Sequence, residues 1–185
     1  MDRNQQHQSY SLGMWIFLGS ELMLFGGLFL AYSYGRFYHQ SEFARASLQL
    51  EWLLGAVNTA VLLTSSTVMA FAVDRGERGD RGGAARRLWL TALLGLVFLG
   101  IKGYEWSLEH SQGVVGERLF FFFYFTLTGL HAFHLTLGVL AVLFFAWRAG
   151  YRSADEIMIL GLYWHLVDLL WFFLYPLLYL IGTRP

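Results

Sequence analysis

The sequence predicts an all-α, polytopic membrane helical bundle with five transmembrane helices, and three observations carry that prediction. Five long runs are almost free of charge, so that only 14% of the 185 residues are charged, against about 25% in a soluble domain. Each run has enough residues, at 1.5 Å apiece, for a hydrocarbon core of ~30 Å. None shows the short polar–apolar alternation of a membrane barrel, and backbone polar groups in lipid need partners within their own segment, which a helix supplies.

The first run, 12–34, follows the polar stretch MDRNQQHQSYS. It is about twice as long as a signal-peptide core and no A-x-A-like site follows it, so it reads as a retained span. It holds one carboxylate, Glu21, near its centre, and Gly26-Gly27, a surface suited to close helix packing. The second run, 52–73, carries a small polar stripe of Asn58, Thr59, Thr64, Ser65, Ser66 and Thr67, of the same use. The third, 88–108, contains Lys102 and Glu105 towards its end; three apart, they can pair, and near the outer surface they can snorkel. The fourth, 119–147, contains TGLHAFHLTLG with His131 and His134. The fifth, 157–181, opens with YWHLVDLLWFFLY, placing His165 and Asp168 on one face, and Pro176 can kink it. The connections 35–51, 74–87, 109–118 and 148–156 are short and polar, so neighbouring helices run antiparallel within a single domain, 1–185, without internal repeats.

Positive charge orients the bundle. Arg3, Arg75, Arg78, Arg81, Arg86, Arg87, Arg148 and Arg152 fall on one side, against Arg36, Arg45, Arg118 and Arg184 on the other. That excess puts the N-terminus in the cytoplasm and the C-terminus in the periplasm of a bacterial inner membrane. Counting 1.5 Å per residue from each run's start puts Glu21 roughly 15 Å deep. Asp168 and the histidines lie at similar depths and Lys102 and Glu105 in the outer third, an arrangement compatible with a single mid-membrane polar layer.

A carboxylate at that depth costs several kcal/mol unless protein, water or a partner shelters it. Glu21 therefore reads either as a proton, ion or lipid-headgroup site or as a structural hydrogen bond. His131 or His134, with His165, fits a bis-imidazole haem site in a small b-type cytochrome, or interhelical hydrogen bonding alone. A di-metal carboxylate site would want Glu-x-x-His pairs, which are absent, so no metal ligand is assigned. A transporter would want repeats and broken helices. The formal net charge of zero gives no footprint for nucleic acid, and the lack of cysteine excludes disulfides, Cys-ligated zinc and thiol catalysis. No phosphate loop, nucleotide fingerprint or catalytic triad occurs, and no catalytic residue is assigned.

Five motifs then stand in order along the spans: W-x-F-L-x-S-E (Trp15 to Glu21), N-T-x-x-L-L-x-S-S (Asn58 to Ser66), F-L-G-x-x-x-Y-E-W (Phe98 to Trp106), T-G-x-H-x-x-H (Thr128 to His134) and Y-W-H-x-V-D-x-x-W (Tyr163 to Trp171). Together they resemble the subunit III family of haem–copper oxidases, in a five-helix form lacking the first two helices of the seven-helix one. The resemblance implies a non-catalytic subunit of a terminal respiratory complex, with haem and copper held by subunits I and II. It implies packing against subunit I, phospholipid held between helix groups, and support of proton uptake. Glu21 matches the family's buried carboxylate, and His131, His134, His165 and Asp168 its intramembrane polar positions. Lys102 departs from the uncharged or acidic residue often found there, which points to a divergent branch and keeps a nitric oxide reductase as an alternative complex.

Overall fold

In hydrocarbon an amide has no water to turn to, and each long apolar run forms one continuous helix. The computed structural model describes residues 3–111, 118–148 and 154–180, in the order α1 (Arg3–Tyr38), α2 (Gln40–Gln49), α3 (Trp52–Glu77), α4 (Arg81–Ser111), α5 (Arg118–Arg148) and α6 (Ala154–Tyr179). No strand occurs among the described residues. Five helices contain a stretch long and apolar enough to cross a membrane: Leu12–Tyr38, Trp52–Glu77, Arg81–Glu109, Arg118–Arg148 and Glu156–Tyr179. The five expected spans are present. Ile181, Arg152 and Arg184, which the sequence reading used for the last span and the charge count, lie outside the described residues, as does the side chain of Arg3.

Two connections differ from expectation. The charged, glycine-rich stretch 74–87 is not a loop: α3 continues to Glu77 and α4 begins at Arg81. The reversal needs only Arg78, Gly79 and Asp80. Gly79 takes φ +77°, a left-handed value that favours glycine. Its N–H donates to the Gly76 carbonyl and that of Asp80 to the Arg75 carbonyl, the bond pair of a Schellman ending. Asp80 at once caps α4, accepting from the Gly83 N–H at 2.8 Å. That N–H, with Arg75 adding its charge, holds the Asp80 carboxyl below its ordinary value. The cap's contribution is therefore fully present above the ordinary carboxylate range and is lost as pH falls through the lowered value.

The connection 35–51 contains α2, a ten-residue amphipathic helix. Phe43, Ala46 and Ser47 form its buried face, and Leu50 follows them inward. Phe43 meets the rings of Tyr32 and Phe120 at 5.3 and 5.5 Å, so α2 closes the end of the bundle where α1, α4 and α6 finish and α5 begins.

Lipid tails are as apolar as leucine, so close contact rather than water exclusion holds such helices together. The α3–α4 hairpin is the most extensive packing, α6 lies against α3, and α5 packs on α4 and α6. Glycines make these approaches possible. A Cβ on Gly95 would stand 2.7 Å from Val139 and 2.9 Å from Trp164, one on Gly55 2.7 Å from the Tyr175 ring, and one on Gly161 2.8 Å from Val73. Gly26 and Gly27 do not share this role: a Cβ on either meets nothing within 4 Å. The expected packing surface on α1 is open, because α1 touches only α2, α5 and α6.

Candidate functional site

The sequence-predicted polar residues separate into three groups with different partners, plus two enclosed side chains.

The first group joins α1 to α5. Glu21 Oε2 lies 3.0 Å from His134 Nε2. His134 Nδ1 is 2.8 Å from the Leu130 carbonyl of its own helix, and a carbonyl only accepts, so Nδ1 carries a hydrogen and Nε2 is the nitrogen turned to the carboxylate. Around this pair, the Phe25 ring meets His134 at 5.6 Å, and the Tyr163 hydroxyl donates to the His134 carbonyl at 2.9 Å.

The second group joins α3 to α6. His165 Nδ1 and Ser66 Oγ are hydrogen-bonded at 2.7 Å, and the buried Asp168 carboxylate has Ser66 as its polar neighbour. His165 bonds the serine, whereas both Asp168 oxygens are buried without a hydrogen-bond partner among the described residues. Replacing Ser66 with alanine should cost about 0.6–1.7 kcal/mol, the range of interhelical hydrogen bonds in membranes, read as a lower Tm, whereas Ser66→Thr keeps the hydroxyl and most of the stability. An unchanged Tm for the alanine variant would mean that this bond does not fasten α3 to α6.

The third group corrects the sequence reading most. Lys102 and Glu105 do not snorkel: they are 2% and 1% exposed. Lys102 Nζ donates to Glu105 Oε2 at 3.1 Å, to the Tyr124 hydroxyl at 2.8 Å and to the Tyr179 hydroxyl. Both tyrosines in turn donate to Glu105 Oε1. All three ammonium hydrogens and both carboxylate oxygens are used, and the ammonium also lies 5.2 Å from the Trp171 ring centre. The result is a closed, charge-neutral knot of α4, α5 and α6. Tyr124 and Tyr179 were missed in the sequence. The available signal was the spacing of Lys102, Glu105 and Glu109, which puts three ionisable groups on one helical face, and a lone hydroxyl within FFFFYF.

His131 is fully enclosed, its ring 5.7 Å from Phe98 and 5.2 Å from Trp171. Asn58 is likewise buried, its amide 3.5 Å from the Phe98 carbonyl. The polar stripe on α3 divides: Asn58 and Ser65 reach α4, Thr59 and Ser66 reach α6, and Thr64 and Thr67 are exposed and bond their own helix. Of the histidines available to a bis-imidazole haem, His134 faces Glu21, His165 faces Ser66 and His131 is set between aromatic rings. Among the described residues no group of three or more His, Asp or Glu is placed to hold a metal ion.

These features define a multi-pass helical membrane protein with buried polar groups on every long helix, some of them bonded between helices and others, such as Asp168 and His131, enclosed without a hydrogen-bond partner among the described residues. The comparisons give the class a family. The family model for cytochrome c oxidase subunit III matches residues 3–183. The chain is 32% identical to a cytochrome c oxidase subunit 3 of Thermostichus vulcanus, over 98% of this chain and 92% of that one. It is 31% identical to a probable quinol oxidase subunit 3 of Staphylococcus epidermidis, over 97% and 92%. A haem–copper oxidase subunit I+III of Aeropyrum pernix matches 91% of this chain at 29% identity, over 22% of its own length. The chain belongs to the cytochrome c oxidase subunit III family. It is an accessory subunit of a respiratory haem–copper oxidase, and the relatives' names are those of oxidases.

Proposed function

We propose that this chain packs against subunit I, and through it serves subunit II, in an oxidase of the bacterial cytoplasmic membrane, where it supports assembly, phospholipid binding and proton uptake. Haem and copper belong to the partner subunits in this reading, in keeping with the engagement of His134 and His165 by Glu21 and Ser66. Pairing with subunit I is supported by the Aeropyrum pernix relative, whose name joins subunits I and III in one chain. The N-terminus lies on the cytoplasmic side, a reading supported by Arg75, Arg78, Arg81, Arg86 and Arg87 around the α3–α4 reversal. Phospholipid is supported by the largely exposed apolar surface of α1 and by a pocket at the α1–α2 elbow, lined by Ser33, Arg36, Phe37, Gln40 and Ala44, which offers a cation and an aromatic ring to a headgroup.

The observation that carries the proton role is the 3.0 Å approach of the Glu21 carboxylate, on the loosely packed helix α1, to the His134 imidazole of α5. Glu21→Gln should leave assembly intact and bring several-fold slower turnover or faster loss of activity; unchanged kinetics would overturn that role. Native mass spectrometry of the tagged chain, drawn gently from its membranes, tests the partnership. Co-purification with a large haem-bearing polypeptide is expected, and a chain that emerges alone and haem-free would count against it.

A further inference from the structure

We propose that Glu109 is a proton-binding site, a carboxyl that holds one proton at the edge of the closed Lys102–Glu105–Tyr124–Tyr179 network. Glu109 lies one turn beyond Glu105 on the same face of α4 and is only 9% exposed. Both of its carboxylate oxygens are closed off from solvent and neither has a hydrogen-bond partner among the described residues. The network beside it is already satisfied: one ammonium and one carboxylate balance, and each of their polar atoms is bonded.

An ionised Glu109 would therefore add a second buried negative charge beside an ammonium whose three hydrogens already go to Glu105, Tyr124 and Tyr179. Such a charge is strongly unfavourable in a low-dielectric interior, and the Glu105 carboxylate on the same face adds repulsion. The groups that face Glu109 are Lys102 and Glu105 from its own helix and Tyr124 from α5. Tyr179 of α6 reaches the same network, and Glu51, just before α3, is exposed. Tyr124 is the hydroxyl beside Glu109, and its hydrogen goes to Glu105. The site is separate from the Glu21–His134 pair, which sits on different helices.

Infrared difference spectroscopy tests this on the protein purified from its membranes with the subunits that accompany it. At neutral pH, the wild-type-minus-Glu109→Gln spectrum should show loss of one protonated-carboxyl carbonyl band, and that band should shift in deuterium oxide. Loss of ionised carboxylate bands in its place would overturn the proposal. Glutamine has the shape and neutrality of the protonated acid, so Glu109→Gln should assemble with an unchanged Tm. Failure of this variant to assemble would likewise overturn it. Glu109→Asp should restore a carbonyl band at an altered position.

Discussion

Lys102→Met is expected to lose about 3–5 kcal/mol of stability, the cost of stranding one member of a buried ion pair. The substitution keeps most of the apolar stem of the side chain and removes the ammonium with its three donated hydrogen bonds, so Glu105 is left as a buried carboxylate served by two tyrosines. Since α4, α5 and α6 all contribute to the knot, the loss should spread through the bundle and appear as a large fall in Tm and in the yield of assembled protein. The double variant Lys102→Met/Glu105→Gln removes both charges at nearly constant volume and should regain most of that loss, because a neutral pair avoids the desolvation that the single variant suffers. A single variant that melts like the wild type would show that the ammonium is dispensable. A double variant no better than the single one would show that the tyrosines, and not the ion pair, hold the three helices.

Gly95→Val should be the most damaging change that alters no polar group. Even a methyl at Gly95 would stand 2.7 Å from Val139 Cγ2 and 2.9 Å from Trp164 Cη2. Neither neighbour can retreat: Val139 is buried on α5, and Trp164 on α6 fills the space that Gly95 and Gly138 leave open. Overpacking of this kind typically costs 1–3 kcal/mol, and valine adds branching at the point of closest approach, so α4 should be forced off α5 and α6. Gly100→Ala supplies the control on the same helix. A Cβ there meets nothing within 4 Å, and exchanging glycine for alanine in a helix is worth up to about 1 kcal/mol in favour of the variant. Thermal melts of the two proteins in one detergent should therefore move in opposite directions. If Gly95→Val melts with the wild type, the glycine contact is not what sets the helix spacing.

The five spans were legible because length and missing charge decide them, and neither depends on neighbours. Helix ends were less so. DRGERGDRGG has the composition of a loop, yet at the membrane surface its arginines and aspartates tolerate water on one side while the backbone keeps its helical bonds to Glu77 and resumes them at Arg81. α2 has too few apolar residues to stand out, and its burial depends on Tyr32 and Phe120, far away in sequence. Lys102 and Glu105 were misplaced for a related reason: depth along one helix says nothing of what covers it, and the cover comes from Tyr124 and Tyr179. Gly26-Gly27 has the composition of a packing surface and no partner opposite. The Glu21–His134 contact pairs two residues already singled out, but only the fold could match that carboxylate to that imidazole and not to His131.

The ion pair on α4 also bears on how the chain is made. Lys102 and Glu105 are three residues apart, so each travels with its counter-ion inside a single helix. An ammonium alone at the centre of a membrane helix costs ~2.5–3.5 kcal/mol on insertion. With its partner one turn away, α4 can leave the insertion machinery before any later helix exists. α5 follows directly and brings Tyr124, while α6 brings Tyr179 from its far end. The knot therefore closes only when α6 is in place, and a chain broken off before Tyr179 would leave the ammonium and the carboxylate short of one ligand each.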